Sequence, residues 1–292
     1  MNNLLTRSLT GLIFIVLMVG GILGGAITAT LLYSVIVALA IWEFGRCLDH
    51  SSTFFVNGSL SILLSIYLIA FTGFFASGFL DFEACNLECF GGLVLALIVV
   101  IMVNALSHHI AQGYSNWVNA LVSQMYITLP FCVLLYLSFR RAEGEDMVYD
   151  ATIPLAIFVI LWANDTGAYC SGSLLHRYFP AKLAPAISPA KTWVGTIGGT
   201  TLCLVVGGIF AAVTPVFSLP FWLGLAAVVS IFGTLGDLLE SRFKRTLGLK
   251  DSGHLLPGHG GILDRFDSAL LAIPAAGAYI LLLRTFKELL EF

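Results

Sequence analysis

Between Ser8 and Trp42 the chain carries no charged side chain, and between Lys191 and Asp237 it carries none again. A helix that spans a bilayer needs about 20 predominantly apolar residues. Each of these runs therefore suits two spans, with breaks at the Gly20, Gly21, Gly24, Gly25 cluster and around Thr214 to Pro220. Of the 292 residues, 58% are hydrophobic and 11% charged, where soluble domains carry about 25% charged residues. The class that follows is an all-α, polytopic integral membrane protein with about nine transmembrane helices. The net charge of -3 decides little, because where the charges fall matters more than their sum.

The other spans follow from hydropathy. Glu43, Arg46 and Asp49 end the second. A third covers Ser59 to Phe79, and an acidic loop from Asp81 to Glu88 follows. A fourth runs from Gly91 to Leu106, before a loop with His108 and His109. A fifth, Ala120 to Phe139, contains Pro130, which predicts a kink because proline lacks a backbone N–H. A sixth starts near Ala151 and runs into Asn164 and Asp165, with a polar loop expected from there to Lys191. A ninth runs from Ile262 to about Leu283. The chain thus divides into an N-terminal membrane region, 1–150, with five spans, and a C-terminal catalytic region, 151–292, with four. Neither a free-standing soluble domain nor a heptad array is read, and no internal repeat of the kind found in many transporters. Of 14 Lys and Arg, eight lie between Arg177 and Arg265. Positive charge favours the cytoplasmic side, so the loops Ser171–Lys191 and Arg242–Arg265 are expected inside. Arg140 and Arg141 fall outside as the exception. The six cysteines form no CxxC pair, so a zinc ribbon is not supported. Cys85 and Cys89 share the acidic loop, as free thiols or as a bridge.

One stretch stands against this apolar frame: Ser241 to Asp267, SRFKRTLGLKDSGHLLPGHGGILDRFD. Charge at a bilayer is costly, so a retained cluster marks a functional site. Asp264 and Asp267 are three residues apart at a helix start, a spacing that puts both carboxylates on one helix face. Asp237 and Asp165 are expected at the same membrane face. Converging carboxylates repel one another, and a hard cation such as Mg²⁺ relieves the repulsion. The plainer alternative is that each aspartate caps a helix or pairs with a base. Gly260 and Gly261 precede that helix start, where backbone amides suit an anion. A tight turn explains them equally well. Lys244, Arg245, Lys250 and Arg265 suit polyphosphate or anionic headgroups, and positive-inside anchoring is the alternative. His259 is read as a phosphate contact, with general base and helix packing as the other roles. A second polar knot, SPAKTW, offers Lys191 to phosphate and Ser188 as a hydrogen-bond donor, while Trp193 suits the membrane interface. Such a set on one membrane face suits phosphoryl or nucleotidyl transfer to a lipid.

The long stretch closely resembles the signature of the phosphatidate cytidylyltransferases, or CDP-diacylglycerol synthases. That signature reads S-x-x-K-R, four residues, K-D, then P-x-H-G-G-x-x-D-R-x-D. Ser241, Lys244, Arg245, Lys250, Asp251, Pro257, His259, Gly260, Gly261, Asp264, Arg265 and Asp267 match it without a gap. The run from Asn164 to Tyr169, and SPAKTW, resemble the family more loosely. The resemblance implies a nucleotidyltransferase that makes CDP-diacylglycerol and pyrophosphate from CTP and phosphatidate, dependent on one or two Mg²⁺ ions. It implies metal ligation by Asp264 and Asp267 assisted by Asp237 and Asp165. It gives Lys244, Arg245, Lys250 and Arg265 to the triphosphate, and Lys191 and Ser188 to the lipid phosphate or CTP. Ser241, Gly260 and Gly261 join the substrate site. The implied partners are CTP, phosphatidate, membrane lipids and a second copy of the chain, with no nucleic acid. The implied location is a bacterial inner (cell) membrane, with the active site facing the cytoplasm. A CTP-using enzyme with another lipid acceptor, a transporter and an inactive scaffold are the alternatives.

Overall fold

A computed structural model describes residues 3–49, 58–78, 99, 118–141, 147–214, 216–256 and 260–290. Eight helices and two short hairpins appear among them. Seven helices are long and apolar enough to cross a membrane, and Ser8–Leu23 adds a shorter apolar stretch. The all-α membrane class holds. The expected fourth span, the loop with Cys85 and Cys89, His108, His109, Pro257 and His259 lie outside the described residues.

The chain forms two compact units, Met1–Thr152 with Leu247–Arg265, and Ile153–Thr246 with Phe266–Phe292. Chain order placed all of the signature in the C-terminal region. In space its segment Leu247–Arg265 groups with the first helices.

In the first unit, α1 (Asn3–Leu23) and α2 (Ala26–Asp49) are joined at the glycine cluster. Gly25 adopts φ 107°, a conformation that glycine reaches without penalty. The Thr28 hydroxyl closes the turn by donating to the Gly21 and Gly25 carbonyls, each at 2.9 Å. Helix α3 (Gly58–Ala76) packs on α2 and on α4 (Val118–Tyr136). A buried polar knot ties α3 to α4. The Ser65 hydroxyl lies 2.8 Å from that of Thr128, and the Gln124 amide donates to the Ser61 carbonyl at 3.1 Å. Gln124–Thr128 is a π-helical turn in which the Leu129 N–H reaches back to the Gln124 carbonyl. Pro130 follows at once and brings no N–H to the ladder, so the expected kink takes the form of this wide turn. A hairpin of β1 (Phe139–Arg141) and β2 (Met147–Tyr149) follows α4. Burial pushes the Tyr149 phenol up to about 12, so it stays protonated and donates to the Ile22 carbonyl at 2.7 Å.

The second unit holds α5 (Thr152–Leu175), a hairpin of β3 (Lys182–Ala184) and β4 (Ser188–Thr192), α6 (Trp193–Val213), α7 (Leu219–Thr246) and α8 (Leu263–Leu290) from Phe266 onward. Two boundaries differ from those expected. Helix α5 runs through Asn164 and Asp165 to Leu175, where a polar loop was expected. Its small residues explain this, because Gly167 and Gly172 let α6 approach at Gly195, Gly198 and Gly199, as small residues do between membrane helices. Helix α7 runs past Asp237 and carries Ser241, Lys244 and Arg245 as helical residues, not loop residues.

The core of this unit is aromatic at one end and polar further along. Phe210 stacks on Trp222 with ring centres 5.0 Å apart, and Phe217 stacks on Phe221 at 4.3 Å. Along the same helices, the buried Asn164 carbonyl accepts from the Ser230 hydroxyl at 2.8 Å. The Thr200 and Ser230 hydroxyls are 2.8 Å apart, and the Asn164 amide donates to Thr234 at 3.4 Å. These bonds tie α5, α6 and α7 together beside Asp165. In a low-dielectric interior such a satisfied network fixes helix rotation, because any slip leaves a polar group unpaired.

Candidate active site

Helix rotation fixed in this way sets the second unit's chemistry. Asp165 follows the locked Asn164, and α7 brings Asp237 one turn beyond Thr234. Both line a cavity of about 460 Å³ with Tyr169, His176, Lys191 and Ser268. Lys191 Nζ lies 2.5 Å from Asp237 Oδ2, and the Ser241 hydroxyl donates to Asp237 Oδ1 at 3.3 Å. The next residue, Thr192, caps α6, its side-chain oxygen accepting from the Gly195 N–H at 3.2 Å. The cap turns the positive end of the α6 dipole toward the cavity that Thr192, Gly195 and Thr196 also line. Lys191 and this helix start together suit an anion. Ser188 lies on β4 opposite Ala184.

Asp165, Asp237 and Glu240 all act electrostatically on Asp267. Negative charge is thus concentrated in this unit. Among the described residues, however, no three His, Cys, Asp or Glu side chains form a group able to hold a metal ion. Lys244 is buried and lies 2.6 Å from the fully buried Glu240 carboxylate, one turn earlier on α7. Its charge was expected to face phosphate, and in this structure it is matched within its own helix. Asn164 is used in the helix-to-helix knot. Arg245 is exposed.

The first unit treats the rest of the signature differently. Asp264 Oδ2 accepts from the Ser252 N–H at 3.0 Å and from the Gly261 N–H at 2.9 Å. The second of these reaches back across the start of α8 to the residue before its N-cap. Gly260 takes φ 82°, and its carbonyl accepts from the Leu256 N–H at 3.0 Å. The Gly261 amide, expected to face phosphate, is therefore committed to Asp264. Glu43 of α2 is buried and accepts from the Leu263 N–H at 2.9 Å and from the Ser252 hydroxyl at 3.4 Å. Beside it, Trp42, Arg46, Asp251 and His254 line a second cavity of about 330 Å³. Lys250 and Arg265 are exposed.

Glu43, Ser252 and Glu240 were missed from sequence. Glu240 had a signal, since it stands four residues before Lys244, the spacing of a helical ion pair. Glu43 had a weaker one, as the first charge after the long uncharged run.

The sequence profile of the cytidylyltransferase family matches residues 5–283. The chain belongs to the cytidylyltransferase family. It is accordingly a nucleotidyltransferase built into a membrane. A Staphylococcus saprophyticus protein named phosphatidate cytidylyltransferase is 33% identical over 75% of this chain and 89% of its own length. One of the same name from Staphylococcus haemolyticus is 36% identical over 74% of this chain and 88% of its own. One from Staphylococcus aureus is 42% identical over 53% of this chain and 55% of its own. The resemblance carried by the signature is thus borne out.

Proposed function

We propose that the chain transfers the cytidylyl group of CTP to phosphatidate, giving CDP-diacylglycerol and pyrophosphate. The observation that carries this reading is the second unit's cavity, where the Lys191–Asp237 pair and the α6 helix start meet beneath Asp165. The relatives' shared name supplies the substrates.

In the reaction a phosphatidate oxygen attacks the α-phosphorus of CTP, the bond to the bridging oxygen breaks, and pyrophosphate leaves in line. The attacking phosphate is already ionised near neutral pH, so no general base is needed. The protein's work is to position two polyanions and offset their charge. Lys191 and the α6 N-terminus neutralise phosphate in the cavity, with Ser188 nearby on β4. Ser241 holds Asp237 in place. Lys250, Arg265 and Arg245 are exposed for the triphosphate and leaving group, and His259 is proposed to contact it. Lys244 contributes through its pair with Glu240.

Mg²⁺ fits the donor set. Such ions are held by one or two carboxylates with substrate phosphates and water, rather than by a protein cage. Asp165 and Asp237, which line one cavity and both act electrostatically on Asp267, are that kind of set. Asp165, Asp237, Asp264 and Asp267 would hold one or two ions, which supply charge neutralisation at the transferred phosphorus. The positive loops argue that this face is cytoplasmic in a bacterial cell membrane. A homodimer is proposed on the family resemblance.

The test is radiolabel transfer from CTP into lipid by the purified protein in detergent, with phosphatidate and Mg²⁺. Wild type forms labelled CDP-diacylglycerol, and Asp237→Asn lowers kcat by about two orders of magnitude. Equal rates in the two proteins sink Asp237. No transfer by folded wild type sinks the substrate assignment.

A further inference from the structure

We propose that Glu43 is a positioning residue for nucleotidyl transfer: its buried carboxylate is the template on which Ser252 and the helix start at Leu263, two parts of the signature segment, are set. The proposal rests on the transferase reading above.

A carboxylate that is 1% exposed loses its hydration and must recover it from donors. Its Oε2 takes two donors, both from the distant signature segment: the Leu263 N–H at 2.9 Å and the Ser252 hydroxyl at 3.4 Å, while Oε1 has no hydrogen-bond partner among the described residues. One turn along α2, the Cys47 thiol donates to the Ser252 carbonyl at 3.2 Å. Two glycines show how closely the loop backbone lies on the carboxylate. A Cβ at Gly253 would stand 2.6 Å from Glu43 Oε1, and a Cβ at Gly261 would collide with Oε2 and with the Ser252 hydroxyl. The loop thus lacks side chains where Glu43 needs room.

Leu263 is the first residue of α8, so Glu43 places negative charge at a helix N-terminus, where the dipole favours it. It fixes where α8 begins, and the next two residues are Asp264 and Arg265. Asp264 in turn takes the Ser252 and Gly261 amides. Glu43 and Asp264 therefore hold the same loop through Ser252, one by its hydroxyl and one by its amide. Among the described residues, neither Lys250 nor Arg265 hydrogen-bonds to Glu43. Glu43 acts on them only through the backbone that carries them.

The test uses full-length protein in detergent and two independent measurements. Hydrogen exchange is followed in peptides covering Leu249–Leu263, and kcat and KM for CTP are measured for Glu43→Ala and Glu43→Gln. Removing a charged acceptor shared by two donors is expected to raise exchange in the loop about ten-fold or more. Exchange in α5 and α6 stays as in wild type. In Glu43→Ala kcat falls about ten-fold while KM for CTP changes little. Glu43→Gln, which keeps an acceptor oxygen, recovers most of both. Unchanged loop exchange in Glu43→Ala overturns the proposal, and so does raised exchange with undiminished kcat. A uniform rise in exchange across all helices overturns it as well, since that marks general destabilisation. If Glu43→Ala fails to fold, Ser252→Ala takes its place, with a smaller rise confined to the same peptides expected and no rise counting against the proposal. If wild type transfers nothing to phosphatidate, the substrate reading fails while the exchange measurement still decides the template.

Discussion

The two units manage buried carboxylates in opposite ways. In the first, Glu43 Oε2 and Asp264 accept from backbone N–H groups and a hydroxyl. In the second, Glu240 and Asp237 are satisfied by lysines, Lys244 and Lys191. Backbone donors cannot leave without unfolding the loop, so the first arrangement fixes shape. A lysine can swing toward another anion, so the pair at the cavity can open when a phosphate arrives. Position separates the two lysine pairs in turn. Lys191–Asp237 is partly open to the cavity, while Glu240 is sealed. The chain thus uses hydrogen bonds to build the signature loop and an exchangeable ion pair where chemistry is proposed.

The sealed pair gives the largest expected effect. Glu240→Ala leaves the Lys244 charge buried without its partner, which costs about 3–5 kcal/mol. Thermal unfolding in detergent reads this loss. The sharper version is the double variant Glu240→Leu with Lys244→Met, which removes both charges and regains most of the stability. If the double variant is no better than the single, Lys244 has a further role and the comparison with Lys191 breaks down. No such charge-removing rescue exists for Glu43 or Asp264, because no lysine or arginine is bonded to either in the hydrogen bonds described above.

Asp264→Asn comes next. Replacing a charged acceptor of two amides is expected to cost about 1.5–3 kcal/mol, read as a lower unfolding midpoint together with faster proteolysis between Leu249 and Leu263. Asp237→Asn, by contrast, is expected to leave the midpoint within about 1 kcal/mol of wild type, because its lysine pair is partly exposed. Loss of activity with retained stability at Asp237, and loss of both at Asp264, is the outcome that the two kinds of partner require. Equal stability losses would erase the distinction.

Gly236→Ala tests the setting of Asp237 itself. A Cβ there would stand 2.6 Å from the Asp267 carbonyl, a backbone atom that cannot rotate away. Overpacking of this kind costs about 1–3 kcal/mol, and it should lower transfer along with the midpoint because α7 carries Asp237. A stable, fully active Gly236→Ala would show that α7 and α8 tolerate separation at this point.

Much of the frame was legible in sequence because a bilayer imposes length and polarity on each helix. The two uncharged runs did yield two helices each, and the Gly25 turn and the Pro130 irregularity fell where expected. The errors share one cause. Polarity was taken as a sign of loop at Asp165 and after Asp237, yet both helices continue, since a helix that lines a polar cavity need not be apolar. The signature's spacing announced its chemistry but not its partners. Asp264 looked like a metal ligand by position, and its first bonds are to Ser252 and Gly261. Lys244 looked like a phosphate ligand, and its partner is Glu240. Glu43 meets residues more than 200 positions away, a contact that no local pattern encodes.

The smallest expected effect lies beside the β1–β2 hairpin of the first unit, where both kinds of partner meet on one carboxylate. Partial burial alone would raise the Asp150 pKa. The Thr152 hydroxyl and amide and the Arg140 guanidinium outweigh it and hold the group below its ordinary value. The Thr152 N–H donates to Asp150 Oδ1 at 2.9 Å, and Arg140 Nε lies 2.6 Å from Oδ2. A carboxyl whose folded pKa is depressed adds stability that is fully present above its unfolded pKa. That stability fades as pH falls through the folded value. Wild type should therefore lose more stability between neutral pH and about pH 3 than Asp150→Asn does. The difference stays small because the pair is partly exposed and screened. Salt separates the two contributions. If Arg140 dominates, raising ionic strength shrinks the difference between the two proteins. If the Thr152 amide dominates, as it does for the amides at Asp264, the difference persists in high salt, and this carboxylate belongs with the shape-fixing set rather than with the exchangeable pairs.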